Sequence, residues 1–391
     1  LRILYHHRIR ADDGQAVHVR EMIGALRALG HEVAECALVP KADPEPGAPG
    51  GAAPPRAAGF LRRLRVPRLL LEVLEVGYGR TATRRLVERG RALQPHFVYE
   101  RHALHCRAGL RAARALGVPL LLEVNSPMCD EMAQLGLLRF PGAARKAERE
   151  VLGGAAVVLA VSEVLRARLI ECGARPERTV VVRNGADPER FGDAARAAAR
   201  RLRQARGLDE RAFVVGFVGY ARPWHRLDLV VRALADERLR DAHLWIAGDG
   251  PALPELRAAA AAAGLTGRVH CVGAVPPAEL PAHVCAFDAA VIPAINAYAS
   301  PLKLFDYLAA GVPAVVPDQP NLREVVTDGE TALLCRPGDP EALVACVRRL
   351  AADRSFAAAL GAAGRSALVE RDWTWRGAAR RVLAAYAEVA A

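Results

Sequence analysis

The sequence predicts an α/β chain built from two doubly wound parallel-sheet domains, and three observations predict it. At 391 residues the chain exceeds what one ordinary core accommodates, and 52% of it is apolar, enough to fill two interiors. Short apolar runs of strand type alternate with helical patterns, as they do where crossover helices join parallel strands. The alternation occurs twice, broken over 187–211 by a turn cluster, "NGADPERF", and a charged helical stretch, "GDAARAAARRLRQARGLDE".

In the first series "RILYHH", "HEVAECALV", "HFVYE", "PLLLEVN", "AVVLAVS" and "TVVVRN" read as strands. Helical patterns such as "VHVREMIGALRALG", "RAGLRAARALG" and "EVLRARLIECG" lie between them. In the second series the strands are "FVVGFVG", "HLWIAG", "RVHCVG", "DAAVIPA" and "VPAVVP". They alternate with "RLDLVVRALAD", "ALPELRAAAAAAG" and "SPLKLFDYLAAG". In the last of these Ser300 is read as the N-cap, Pro301 as the first helical residue and Gly311 as the left-handed closing residue. These signals place an amino-terminal domain at 1–190, a second domain at 191–368 and a final helix at 369–391.

Residues 40–59 are rich in Pro, Gly and Ala without period and are expected to form a mobile loop. The stretch after it, "FLRRLRVPRLLLEVLEVGYGR" (60–80), sets Arg62, Arg63, Arg65 and Arg68 beside leucines. It reads equally as an amphipathic helix on an anionic membrane or as a helix covering the first sheet with its arginines in water.

The net charge of +11 points to an acidic partner, but the arginines are spread through helical patterns and no RNA- or DNA-binding motif is present. Nucleic acid is therefore not expected as a partner. Eight cysteines are scattered without C-x-x-C or His/Cys spacing, which argues against zinc and against a disulfide framework. "LRILYHHRIR" lacks the apolar core of a signal peptide, and no apolar run approaches the roughly 20 residues of a membrane span. A cytoplasmic location is expected, with peripheral contact at the inner membrane face if 60–80 is amphipathic.

Ligands of open α/β sheets bind beyond the carboxyl ends of the strands, at glycine-rich turns and helix N-termini. Three such turns occur in the second half: "GFVGYARPWHR", with Gly219, Arg222 and His225; "IAGDGPALPEL", with Gly248, Asp249 and Gly250; and "INAYASPLKLFD". Lys303 stands in the first turn of a helix, where the field is already positive and a cation is disfavoured by some tenths of a kcal/mol. A phosphate at that N-terminus, bonded by the amides near Leu302, would make Lys303 a counter-ion. Asp306, three residues on, is placed to accept from sugar hydroxyls.

These segments together resemble the retaining GT-B glycosyltransferases of family 4, which move a sugar from a nucleotide diphosphate sugar. The likeness runs nearly end to end, from "DGQAVHVREMIGALRALGHEV", "VYER", "LEVNSPMCDE" and "VVVRNGADPERF" to "GFVGYARPWHRLDLVVRAL", "IAGDGPALPELRAAAAAAGL", "SPLKLFDYLAAGVPAVV" and "LREVVTDGETALLCRPGDPEAL". It implies two Rossmann-like domains facing across a cleft and a C-terminal helix, "WRGAARRVLAAYAEVA", returning to the first domain.

By resemblance, Arg222 and Lys303 grip the leaving diphosphate as the catalytic pair. Gly219, His225, Gly248, Asp249, Val275, Leu302 and Asp306 line the donor, with Val275 near the nucleobase and Asp306 on the ribose. His225 stands where many relatives keep a lysine, which makes its contribution pH-sensitive. Gly14, Gln15, Arg101, Asn125 and Glu131 fall on the sugar or acceptor side. The sequence departs from the family where relatives carry E-x7-E, having Tyr298 and then Asp306, and where many carry a histidine, having Asn125. No Asp-x-Asp occurs, so metal-independent transfer is the expectation, with no cofactor beyond the donor; the resemblance further implies retention of configuration. The acceptor is expected to be a glycan, a lipid-linked sugar or a small molecule. The competing expectations are a non-catalytic nucleotide-sugar-binding scaffold and a nucleotide-sugar epimerase.

Overall fold

The computed structural model describes residues 1–11, 14–42, 68–209 and 211–390. The expected loop therefore lies outside the described residues apart from 40–42, and so do Arg62, Arg63 and Arg65. Among the described residues the chain forms two six-stranded sheets, each wholly parallel.

The first unit comprises Leu1–Arg183 together with Ala378–Ala391. Its strands are β1 (Arg2–His7), β2 (Glu32–Ala37), β3 (Phe97–Arg101), β4 (Leu120–Val124), β5 (Val157–Ala160) and β6 (Thr179–Val181), in the order β2-β1-β3-β4-β5-β6. Strands β3, β4 and β5 are buried at every position, as strands covered on both faces must be. Order reverses between β1 and β3, which makes the carboxyl ends of those two strands the switch point of this sheet. Helix Trp375–Ala390 returns to this unit, and its Tyr386 ring packs 4.7 Å from Phe97 of β3.

The second unit is Asn184–Gly377. Strands β7 (Phe213–Val218), β8 (Ala242–Ala247), β9 (Val269–Gly273), β10 (Ala289–Val291), β11 (Ala314–Pro317) and β12 (Leu333–Cys335) run in the order β12-β11-β10-β7-β8-β9. Counted from β7 this is the Rossmann order, and its switch point lies between β7 and β10. Two apolar layers, one on each face of the sheet, form the core; Phe217 and Val291 belong to one, Val218, Phe305 and Tyr307 to the other.

The division falls at 183/184 rather than at 190, for a local reason. Residues 184–187 are built into the second unit: Asn184 Nδ2 donates to Ser300 O (2.6 Å) and Ala186 N–H to Trp373 O (3.1 Å). A Cβ at Gly185 would stand 2.5 Å from the Thr374 backbone. The three-residue edge strand β12 is too short to announce itself by pattern and is absent from the sequence reading.

Candidate functional site

Helix Leu302–Ala310 begins one residue later than its sequence suggests. Pro301, at φ −74 and ψ 121, is the N-cap, and Ser300 is not: its Oγ is buried without a hydrogen-bond partner. The Ser300 carbonyl held by Asn184 fixes the approach of the chain, so the helical turn starts only after the proline. The loop before it is braced by amides, with Asn321 Nδ2 donating to Ala299 O (2.7 Å) and Gln319 Nε2 to Ile295 O (3.3 Å). The helix is locked onto β7 by Tyr307, whose hydroxyl oxygen accepts the Val218 N–H at 3.1 Å.

That lock sets Lys303 over the end of β7. Its Nζ lies 3.8 Å from the centre of the Phe217 ring, and a Cβ at Gly219 would stand 3.5 Å from it. No carboxylate pairs with Lys303 among the described residues. Burial of this unpaired ammonium lowers its pKa to about 7. The His225 ring lies 5.2 Å from Phe217. Burial, then Lys303 and Arg222, push its pKa down to about 3. Without a ligand the ring is therefore neutral across the physiological range, where the sequence leads us to expect a pH-sensitive group. Its Nδ1 accepts the Arg222 N–H at 3.1 Å, which leaves the proton on Nε2 as a free donor.

Gly219 follows β7 at the switch point, and its loop is zipped to the next one. Gly219 N–H donates to Ala247 O (3.0 Å), Ala221 N–H to Asp249 O (2.7 Å) and Ala252 N–H to Ala221 O (3.1 Å). Gly248 and Gly250 have φ of +148 and +151, and a Cβ on either would fall 2.0 and 2.2 Å from the carbonyl oxygens of Gly219 and Ala221. Their requirement for glycine is thus a close approach of two backbones. Asp249 is exposed, its Oδ1 accepting from Gly250 N–H at 2.8 Å. Arg222 extends from this loop with its guanidinium 5.0 Å from the Tyr220 ring and 4.9 Å from the Trp224 ring. Asp306 is partly buried on the helix carrying Lys303, and Val275 follows β9 at the same carboxyl edge, packed against the core.

The sequence-predicted residues of the first half gather at the carboxyl ends of β1, β3 and β4. Gly14 and Gln15 open helix Gly14–Ala28 and are exposed; Glu131 is partly buried in helix Met128–Gln134. Arg101 and Asn125 converge on Glu123, a residue the sequence reading did not single out. The Glu123 Oε1 accepts from both Arg101 and Asn125 Nδ2; Oε2 accepts from Tyr99 Oη (2.5 Å) and faces His18 Nε2 (2.8 Å). Burial raises the Glu123 pKa, but His18 and Arg101 beside it outweigh burial and hold the carboxyl well below its usual range. Arg101, 8% exposed, is thus committed to a core network. The signal for this network is a glutamate within a strand otherwise made of leucine and valine.

Among the described residues one trio of metal-type ligands lies together, the buried His6, Glu100 and Cys106. Glu100 Oε1 already accepts from His6 Nδ1 (2.6 Å), Gly109 N–H (2.9 Å) and the Cys106 thiol (3.5 Å). Burial and the Glu100 charge raise the thiol pKa, keeping it protonated. A neutral thiol and a fully occupied carboxylate oxygen suit a hydrogen-bonded core element rather than a metal centre. A cavity of about 490 Å³ lies at the amino ends of β7 and β8, away from Lys303, and its Arg238, Arg348 and Arg354 are paired with Asp236 and Asp288.

Two Rossmann-like sheets, with an unpaired cation cluster at the switch point of the second, define a GT-B architecture with a candidate anion site. The comparisons with known proteins agree. A family model described as Glycosyltransferase Family 4 matches residues 13–190, and one described as Glycosyl transferases group 1 matches residues 212–353. The chain is 31% identical to a 2-deoxystreptamine glucosyltransferase of Streptomyces kanamyceticus over 67% of its own length and 69% of that protein's. It is 32% identical to a GDP-mannose-dependent alpha-(1-6)-phosphatidylinositol monomannoside mannosyltransferase of Mycolicibacterium smegmatis, over 60% of its length and 62% of the relative's. Among solved structures, HepE of Anabaena in complex with UDP-glucose superposes with a TM-score of 0.70 at 17% identity, covering 99% of both chains. The sucrose-phosphate synthase of Thermosynechococcus elongatus superposes at 0.75 and 19%, over 99% of this chain and 98% of that one. The chain belongs to the group 1, family 4 glycosyltransferases.

Proposed function

We propose that the protein transfers a sugar from a nucleoside diphosphate sugar to an acceptor hydroxyl, with retention and without a metal ion. The observation that carries the reading is Lys303: a partly buried ammonium without a carboxylate, beside a glycine at a helix N-terminus and a sheet switch point. The burial cost is accounted for if an anion completes the site. The diphosphate of the donor fits, because its oxygens can take the Lys303 ammonium, the Arg222 guanidinium and the first free amides of helix Leu302–Ala310 together. As the bond from the anomeric carbon to the diphosphate lengthens, negative charge grows on the leaving oxygens. Fixed donors aimed there stabilise that charge by about 3–4 kcal/mol each. The neutral His225 adds an Nε2–H donor without adding charge. Asp306 serves the ribose hydroxyls and the backbone near Val275 the base.

The relatives' names pair the same family with GDP-mannose and phosphatidylinositol monomannoside in one case and 2-deoxystreptamine in another. The reading therefore specifies the reaction and the donor class, with the acceptor a glycan, a lipid-linked sugar or a small molecule. A thermal-shift panel of UDP, GDP, ADP and TDP, with and without magnesium, tests it. One or two nucleotides should raise the melting temperature equally in both conditions. A shift confined to magnesium would end the metal-free mechanism. No shift from any nucleotide would remove the donor reading.

A further inference from the structure

Arg222 is bracketed by two large aromatic side chains that the fold has no packing reason to expose. Tyr220 is 49% and Trp224 51% exposed, and both flank the guanidinium at about the same distance, 5.0 and 4.9 Å. Arg222 has no ion pair among the described residues, so the two rings are its side-chain partners. Stacking engages the faces of a guanidinium and leaves its N–H edge free, whereas a carboxylate partner would consume those donors. The backbone around the arginine is held as well, by His225 Nδ1 on the Arg222 N–H and by the His225 N–H on the Arg222 carbonyl (3.0 Å). A long side chain on an exposed loop otherwise loses rotamer freedom when it engages a ligand, and prior confinement removes that loss.

We propose that Tyr220 and Trp224 are positioning residues, which hold the Arg222 guanidinium between their rings with its donor edge presented to the leaving diphosphate. The inference rests on the donor reading above. It adds that affinity for the diphosphate depends on two aromatic residues through the arginine between them.

A double-mutant cycle tests it, with the nucleoside diphosphate that most stabilises the wild-type protein, and its parent nucleoside, as the probes in calorimetric titration. The joint change Tyr220→Ala and Trp224→Ala should weaken the diphosphate about tenfold and leave the nucleoside within about twofold. Tyr220→Phe and Trp224→Phe, which keep a stacking face, should restore the loss nearly in full. In an Arg222→Ala background the aromatic changes should have no further effect. Equal losses with and without Arg222 would overturn the proposal, because the rings would then touch the ligand themselves. Weakening of the nucleoside by the same factor would overturn it too. No diphosphate binding by the wild-type protein would instead remove the donor reading, and this inference with it. Melting temperatures of the variants, whose altered aromatic side chains are half exposed, report that each is folded.

Discussion

The two units hold the ionisable side chains at the carboxyl ends of their sheets in opposite ways. In the first, each of several buried imidazoles meets a glutamate: His6 with Glu100 (2.6 Å), His7 with Glu35 (2.7 Å), His18 with Glu123 (2.8 Å) and His105 with Glu72 (2.7 Å). In the second, Lys303, His225 and Arg222 meet aromatic faces and backbone, and no carboxylate among the described residues. A paired buried charge has its compensation inside the fold. An unpaired one is a standing demand for a ligand. The contrast separates polar groups that hold a domain together from polar groups that await a substrate, and it can be broken at several points.

The largest effects should come from the unpaired set. Arg222→Ala and Lys303→Ala should each lower kcat by about 10²–10³, as loss of one leaving-group donor does elsewhere. Turnover assays with the donor identified by the thermal-shift panel measure this; near-normal rates in the double variant would remove these residues from the chemistry. Of similar size is Glu123→Gln, which leaves Arg101 and His18 buried without their anion. A loss of about 3–5 kcal/mol in the first unit is expected, read by urea unfolding. Little change would mean that the network is not structural.

Lys303→Met sharpens the contrast by moving stability and function in opposite directions. It removes an unsatisfied ammonium, so the ligand-free protein should melt about 2–4 °C higher while the nucleotide-induced shift disappears. The same residue should also set a pH dependence. With a folded pKa near 7, below its unfolded value, Lys303 binds fewer protons folded than unfolded above that pH. The second unit should thus gain stability from this residue as pH rises above 7, up to the usual lysine value. Diphosphate affinity should move the other way, falling by up to tenfold per pH unit above about 7 as the ammonium is lost. A flat profile in the wild-type protein, or the same profile in Lys303→Met, would assign the titration to another group.

Much of this was legible in the residues. The parallel strands announced themselves as apolar runs, and only β12, three residues at a sheet edge, went unread. Lys303 was legible because it contradicts the field of its own helix turn. What stayed hidden depends on partners distant in sequence. Glu123 is one charged residue in a strand until the fold brings His18 and Tyr99 to it, and Ser300 looks like a cap until Asn184 fixes its carbonyl. Gly248 is expected at the donor from its place in a glycine-rich turn, and only the fold shows the Gly219–Ala221 backbone lying against it and against Gly250. The stretch 60–80 divides: Glu72 accepts from His105 Nε2 and from the N–H groups of Arg139 and Phe140, which ties that part of helix Arg68–Leu93 into the first unit.

The return of residues 378–391 to the first unit bears on how the chain acquires its structure. Phe97 lies in β3, yet the ring packed on it belongs to Tyr386, which follows the whole second unit in sequence. The second unit is continuous in sequence, whereas the first is completed by a segment that follows it. Removing residues 378–391 should therefore destabilise the first unit, although those residues follow the whole second unit in sequence.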